Sequence, residues 1–278
     1  MKKFFKYLGV SILLGISFFY TEKTASVVKE LDSIMIEIRD KALEYRVAPI
    51  QAIKTDTTFI PGVNGLEIDI DKSYREMRYI GKYNEKYLKY KTVYVENKLK
   101  DNLDKYIISG NKSKKDVGIV FIVENNDNID NLLKILRQNE VSSTFMVSGL
   151  WLEKNNDDVY KIVEEGHDLG SIGYNYSYID SSYPWLDNII KRISKEKNSY
   201  CLKSNIESLE ICKRHLNYSI DAKIIDVNPL IETKKILDNG SILIYKVNSS
   251  LYEEIDFLLK YVNSKGYRMV TLKKLLQE

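Results

Sequence analysis

From Val117 onward the chain alternates two periodicities. Apolar runs of strand length recur as VGIVFIV (117–123), SSTFMV (142–147), DLGSIG (168–173), NSYCL (198–202), IDAKII (220–225), SILIYKV (241–247) and YRMVTL (267–272). Each is followed by a segment with apolar residues at helical spacing: 129–138, 157–165, 186–194, 206–214, 230–237, 253–264 and 273 to the end. Seven such alternations predict an α/β fold, a seven-stranded (β/α) barrel-like domain over 113–278 with helices outside a parallel sheet. Asp157 and Asp158 in a first turn and Gly166 at a helix end support the helix boundaries. In such folds the functional groups lie in loops after the strands. Those loops are 124–128, 148–151, 174–180, 203–204, 226–229 and 246–250.

The N-terminal part reads differently. Lys2, Lys3 and Lys6 precede an uncharged apolar run from Tyr7 to Tyr20, YLGVSILLGISFFY. A charged start followed by such a run is what the secretory machinery recognises. Lys23 sits where a cleavage site needs a small residue, so the expectation for 1–22 is an uncleaved signal anchor. The chain beyond it would then lie outside the cytoplasm. Over 23–48, Val27, Val28, Leu31, Ile34, Met35, Ile38 and Ala42 predict one amphipathic juxtamembrane helix. A small Tyr-rich α/β unit is expected over 49–112, including a helix over 72–79 capped by Asp71. Its tyrosines read mainly as packing groups with one wet edge.

Composition narrows the function. The chain has 278 residues, with 42 basic against 39 acidic ones, so nothing favours nucleic acid as a partner. The two cysteines, Cys201 and Cys212, bracket a helix. If both lay on it they would be out of disulfide reach. A bridge requires Cys201 on the preceding strand with the chain doubling back, and two independent buried thiols are the favoured reading.

The run VSSTFMVSGLWLEKNNDDVYKIVEEGHDLGS (141–171), together with NGSILIYKV and LKYVNSKGYRMVTLKKLL at the end, resembles the polysaccharide deacetylases, the NodB-homology family. The resemblance spans 117–276. It implies metal-assisted removal of acetyl groups from carbohydrate, with an aspartate and two histidines four apart as ligands, a second aspartate as base and a later histidine as acid. At the matching positions stand Ile122 and Val123 for the aspartates, Ile172 and Tyr176 for the histidines, and a residue near Lys246 for the acid. SYCLKS (199–204) lacks the arginine that would orient the base. The chain has 2 His, His167 and His215, too far apart to form the pair in any register. His167 matches a hydrogen-bonded framework position, and His215 ends a charged helix.

The expectation is therefore a membrane-anchored, extracytoplasmic, catalytically inactive pseudoenzyme without metal or cofactor, binding cell-wall polysaccharide or another envelope protein. The candidate contact or cavity-filling residues are Trp151, Tyr174, Asn175, Tyr176, Tyr178 and Glu124. The alternative is an active carbohydrate deacetylase with atypical residues. It would need oxygen ligands such as Glu124, Asp127 and Asp180. A purely structural or assembly role for the stalk and the Tyr-rich unit is a third reading.

Overall fold

The computed structural model describes residues 2–124, 129–204 and 206–278. Two units are present. The smaller contains Met1–Pro49 and Asn64–Tyr94, the larger Ile50–Val63 and Val95–Glu278. This differs from a small unit over 49–112. The short strands Ile53–Lys54, Thr58–Ile60 and Tyr106–Ile107 hydrogen-bond into the large sheet instead.

In the smaller unit, helix Lys2–Glu30 contains the apolar run, and a second helix spans Ser33–Ala42. The single helix expected over 23–48 is thus broken. Asp32 is extended, and its side chain accepts from the Ile34 N–H, so it caps a new helix rather than continuing the old one. Its other oxygen accepts from the Tyr74 hydroxyl at 2.9 Å. Among the described residues no helix is long and apolar enough to cross a membrane. The helix expected over 72–79 runs Ile70–Ile80 with Asp69, not Asp71, as its cap. Ile34, Met35, Ile38, Ile68, Tyr74, Met77 and Leu88 form a small core with the antiparallel strand pair Gly65–Ile68 and Tyr90–Val93.

The larger unit is built on an 11-stranded sheet that curls into a half-barrel. From one edge the order is Ile53–Lys54, Thr58–Ile60, Tyr106–Ile107, Tyr218–Ile220, Tyr200–Leu202, Asp168–Ser171, Thr144–Val147, Asp116–Val123, Ile242–Lys246 and Ile224–Ile225, with Arg268–Val270 also pairing Asp116–Val123. The expected α/β barrel-like fold is present, and all pairings except the first are parallel. The run IDAKII contributes to two short strands, because Asp221–Lys223 turns the chain between them.

Strand Asp116–Val123 is buried at every position, which explains why its sequence is continuously apolar from Val117 on. Its two faces serve different cores. Val117, Ile119, Phe121 and Val123 pack under the helices with Leu132, Leu136, Ile162, Leu186 and Leu258. Val120 and Ile122 face the inner cluster with Met146, Ile172, Leu202, Ile244 and Leu272. At the start of this strand, buried Asp116 accepts two bonds from the Arg268 guanidinium, both 2.8 Å, which fixes the last strand in register.

Candidate functional site

The deacetylase site would be assembled where Asp116–Val123, Thr144–Val147, Asp168–Ser171 and Ile242–Lys246 end. The strands bring the expected positions together, but the groups there are mostly apolar. Ile122 is 4 % exposed and Ile172 is 6 % exposed, both within the inner apolar cluster. Val123 is fully buried on the other face, beneath the helices. Aliphatic carbons offer a metal nothing to bind, so the residues at the ligand and base positions do not fit one. Among the described residues no group of three His, Cys, Asp or Glu is placed to hold a metal ion.

The oxygen ligands considered for an atypical site do not converge. Glu124 forms an ion pair with Lys246 at 2.9 Å, whereas Asp180 pairs with Arg214 at 2.8 Å. Asp127 lies outside the described residues. Lys246 stands near the acid position, but its bond to Glu124 holds its pKa above the ordinary lysine range, with Asp226 and Tyr176 adding to the effect. An ammonium held so firmly is poorly matched to proton donation at neutral pH. The position of the missing arginine is also committed elsewhere. Cys201 is bridged, and Lys203 pairs with Asp221 at 2.6 Å while lying over the Tyr106 ring.

The loop 172–180 divides its aromatics between two tasks. Tyr178 is buried, and its hydroxyl donates to the Ser171 carbonyl at 2.5 Å, while its ring meets Tyr183 edge-on. It therefore supports the fold and does not face a ligand. Trp151, expected in a loop beside these residues, is fully buried on helix Gly149–Lys154, whose first turn is capped by the Ser148 hydroxyl. Both fill space rather than contact glycan. Tyr176, by contrast, is 41 % exposed with φ of 57°, and Asn175 is exposed beside it. The Tyr174 hydroxyl donates to Glu153 at 2.9 Å, and its ring meets Trp185 edge-on. Trp185 is 40 % exposed, so it, and not Trp151, is the tryptophan at this surface. No local pattern announces this pairing, because Trp185 lies in the next helix, Tyr183–Ser194.

Two sequence readings close differently here. His167 is a framework residue as expected: its Nδ1 accepts from the Ser143 N–H at 3.1 Å, and Phe145 meets its ring edge-on. Burial pushes its pKa down to about 4. The unfolded chain then takes up the proton first as pH falls. Stability is full above about 6.5 and is lost progressively toward about 4, by roughly 3 kcal/mol at most. Asp168 works the other way, since burial raises its carboxyl pKa and favours the folded state at low pH. Urea midpoints for the wild type should fall from pH 7 to 4.5, and His167→Gln should flatten that slope; an equal slope in both would remove His167 as its source. The cysteines overturn the free-thiol reading. Cys201 lies on strand Tyr200–Leu202 and Cys212 on helix Ile206–Arg214, which folds back over it, and they form a disulfide with Cα atoms 6.4 Å apart.

Comparison with known proteins agrees with this architecture. Residues 109–207 match the family model of polysaccharide deacetylase. The chain is 25 % identical over 280 aligned positions to the uncharacterised protein YlxY of Bacillus subtilis (strain 168), covering 92 % of this chain and 87 % of that one. Among solved structures it is similar to BA3943 of Bacillus anthracis, a pseudoenzyme of carbohydrate esterase family 4. The TM-score is 0.66 at 23 % identity, covering 89 % of this chain and 96 % of the other. It is also similar in fold to PdaA of Bacillus subtilis, a family 4 carbohydrate esterase, with a TM-score of 0.53 at 17 % identity over 62 % of this chain and 84 % of that one.

Proposed function

We propose that this chain is a membrane-anchored, extracytoplasmic pseudoenzyme that keeps the deacetylase framework as a binding domain for cell-wall glycan. The observation that carries the inactive part is the burial of Ile122 and Ile172 in one apolar cluster, where a metal-dependent deacetylase needs an aspartate and a histidine. Likeness in fold to the family 4 pseudoenzyme supports the same reading. For the anchor, the support is the lysine-led run Tyr7–Tyr20 with strongly exposed Leu13, Leu14, Phe18 and Phe19. For the compartment, it is the Cys201–Cys212 disulfide, a bond that persists where the surroundings are oxidising.

The binding surface is the mouth formed by Tyr174, Asn175, Tyr176 and Trp185. Aromatic faces suit the C–H surfaces of sugars, and the Asn175 amide supplies directional hydrogen bonds. Purified chain lacking residues 1–22 should sediment with insoluble peptidoglycan, and Tyr176→Ala with Trp185→Ala should reduce the retained fraction about tenfold. Retention equal to that of the double variant rejects glycan binding and leaves an envelope protein as the partner. Tightly held metal, with chelator-sensitive acetate release from acetylated chito-oligosaccharides, would instead establish a deacetylase with atypical residues.

A further inference from the structure

A cavity in the larger unit lies at the other end of the strands from this mouth. It has a volume of about 530 Å³ and is lined where Asp168–Ser171, Tyr200–Leu202 and Tyr218–Ile220 begin. Tyr218 and Tyr200 are direct register partners on adjacent parallel strands, and their ring centroids are 6.0 Å apart. Together they form an aromatic wall. Asp168 accepts from the Lys273 N–H at 3.1 Å and from the Thr271 hydroxyl, which leaves acceptor capacity on its carboxylate.

The charge in this cleft is unbalanced. Its charged lining residues are Asp168, Glu196 and Lys273. Lys273 Nζ is engaged by Glu196 at 2.5 Å, and Asp168 has no ion-pair partner among the described residues. The local sum is one negative charge, set beside two tyrosine rings. Two helices add to it, because Val163 lies in the last turn of Asn156–Glu164 and Gly166 just beyond it, and Ser194 ends Tyr183–Ser194. Both therefore present their negative poles. Burial raises the Asp168 pKa by more than the bonds from Thr271 and the Lys273 N–H, and the Lys273 charge, lower it.

We propose that this cleft binds a substituted ammonium group, with the Asp168 carboxylate as counterion and the Tyr200 and Tyr218 rings as its walls. A cation over an aromatic face and beside a half-buried carboxylate gains from both interactions, whereas a neutral ligand of the same shape gains from neither. A phosphate or carboxylate ligand is disfavoured by the same charges. The site is separate from the proposed glycan mouth and does not depend on it.

The test uses the full chain in detergent and a matched pair of probes: choline, and its uncharged carbon analogue 3,3-dimethylbutan-1-ol. Titration followed by amide chemical-shift mapping should place choline at Asp168, Tyr200 and Tyr218, with the neutral analogue binding about tenfold more weakly. Asp168→Asn should weaken choline by a similar factor. Lys273→Ala removes an exposed competing cation and should tighten choline about two- to fivefold, while Tyr176→Ala should leave it unchanged. Equal binding of the two probes, undiminished binding by Asp168→Asn, weaker binding by Lys273→Ala, or shifts confined to residues outside the cleft would each overturn the proposal.

Discussion

Ile122→Asp should destabilise the larger unit by about 3–5 kcal/mol, because it places a carboxylate among Val120, Met146, Ile172 and Ile244, while its register partner Lys246 is already held by Glu124. The resemblance implies an aspartate at this position in the family. Here the cluster around it is aliphatic, and Ile122 is 4 % exposed. The introduced group would remain protonated or force water into the cluster, and either response costs free energy. The effect is large against the 5–15 kcal/mol that typically separates folded from unfolded domains. Urea unfolding followed by tryptophan fluorescence measures it directly, since Trp151 is fully buried. A loss below about 1 kcal/mol would show that the position is wet, and the apolar-plug account of the lost metal site would be wrong.

The second large effect concerns the disulfide. Reducing Cys201–Cys212, or replacing both residues with serine, should cost about 3 kcal/mol, the loop-closure value for a separation of 11 residues. Serine should cost somewhat more than reduction, because hydroxyls replace sulfurs in two fully enclosed positions. The loss should also perturb the neighbouring polar network. The Tyr183 hydroxyl lies 3.0 Å from Cys201 Sγ and accepts from Asn217 at 2.8 Å; Asn217 in turn donates to Asp187 at 2.6 Å. Unfolding midpoints with and without reductant, checked against thiol titration, decide the matter. Unchanged stability after verified reduction would mean that the bridge constrains nothing the fold does not already hold.

Much of this was readable in advance. The alternation of strand and helix periods after Val117 identified the fold class, and the framework runs identified the family, because both depend on local apolar spacing and on a few punctuating residues such as Gly166. The failed expectations came from long-range geometry. Residues 50–63 and 95–112 read as part of a separate unit because their strands are only two or three residues long and are completed by partners distant in sequence. Trp151 and Tyr178 are a different case: the sequence leaves them open between contact and cavity filling, and a short helix and a carbonyl bond, which nothing local announces, turn both inward to fill space.

By itself the sequence determined what cannot be assembled: with two histidines far apart and aliphatic side chains at the aspartate positions, no arrangement of this chain recreates the family's ligand set. It also set the order of strands and helices, since hydrophobic period is a property of neighbouring residues. Only the tertiary structure decided that Ile122 and Ile172 share one cluster, that Cys201 meets Cys212, that Glu124 is held by Lys246, and that Tyr200 and Tyr218 wall a cleft beneath Asp168. Each of these depends on which strand lies beside which and how the sheet curls, and backbone pairing between distant segments sets those distances.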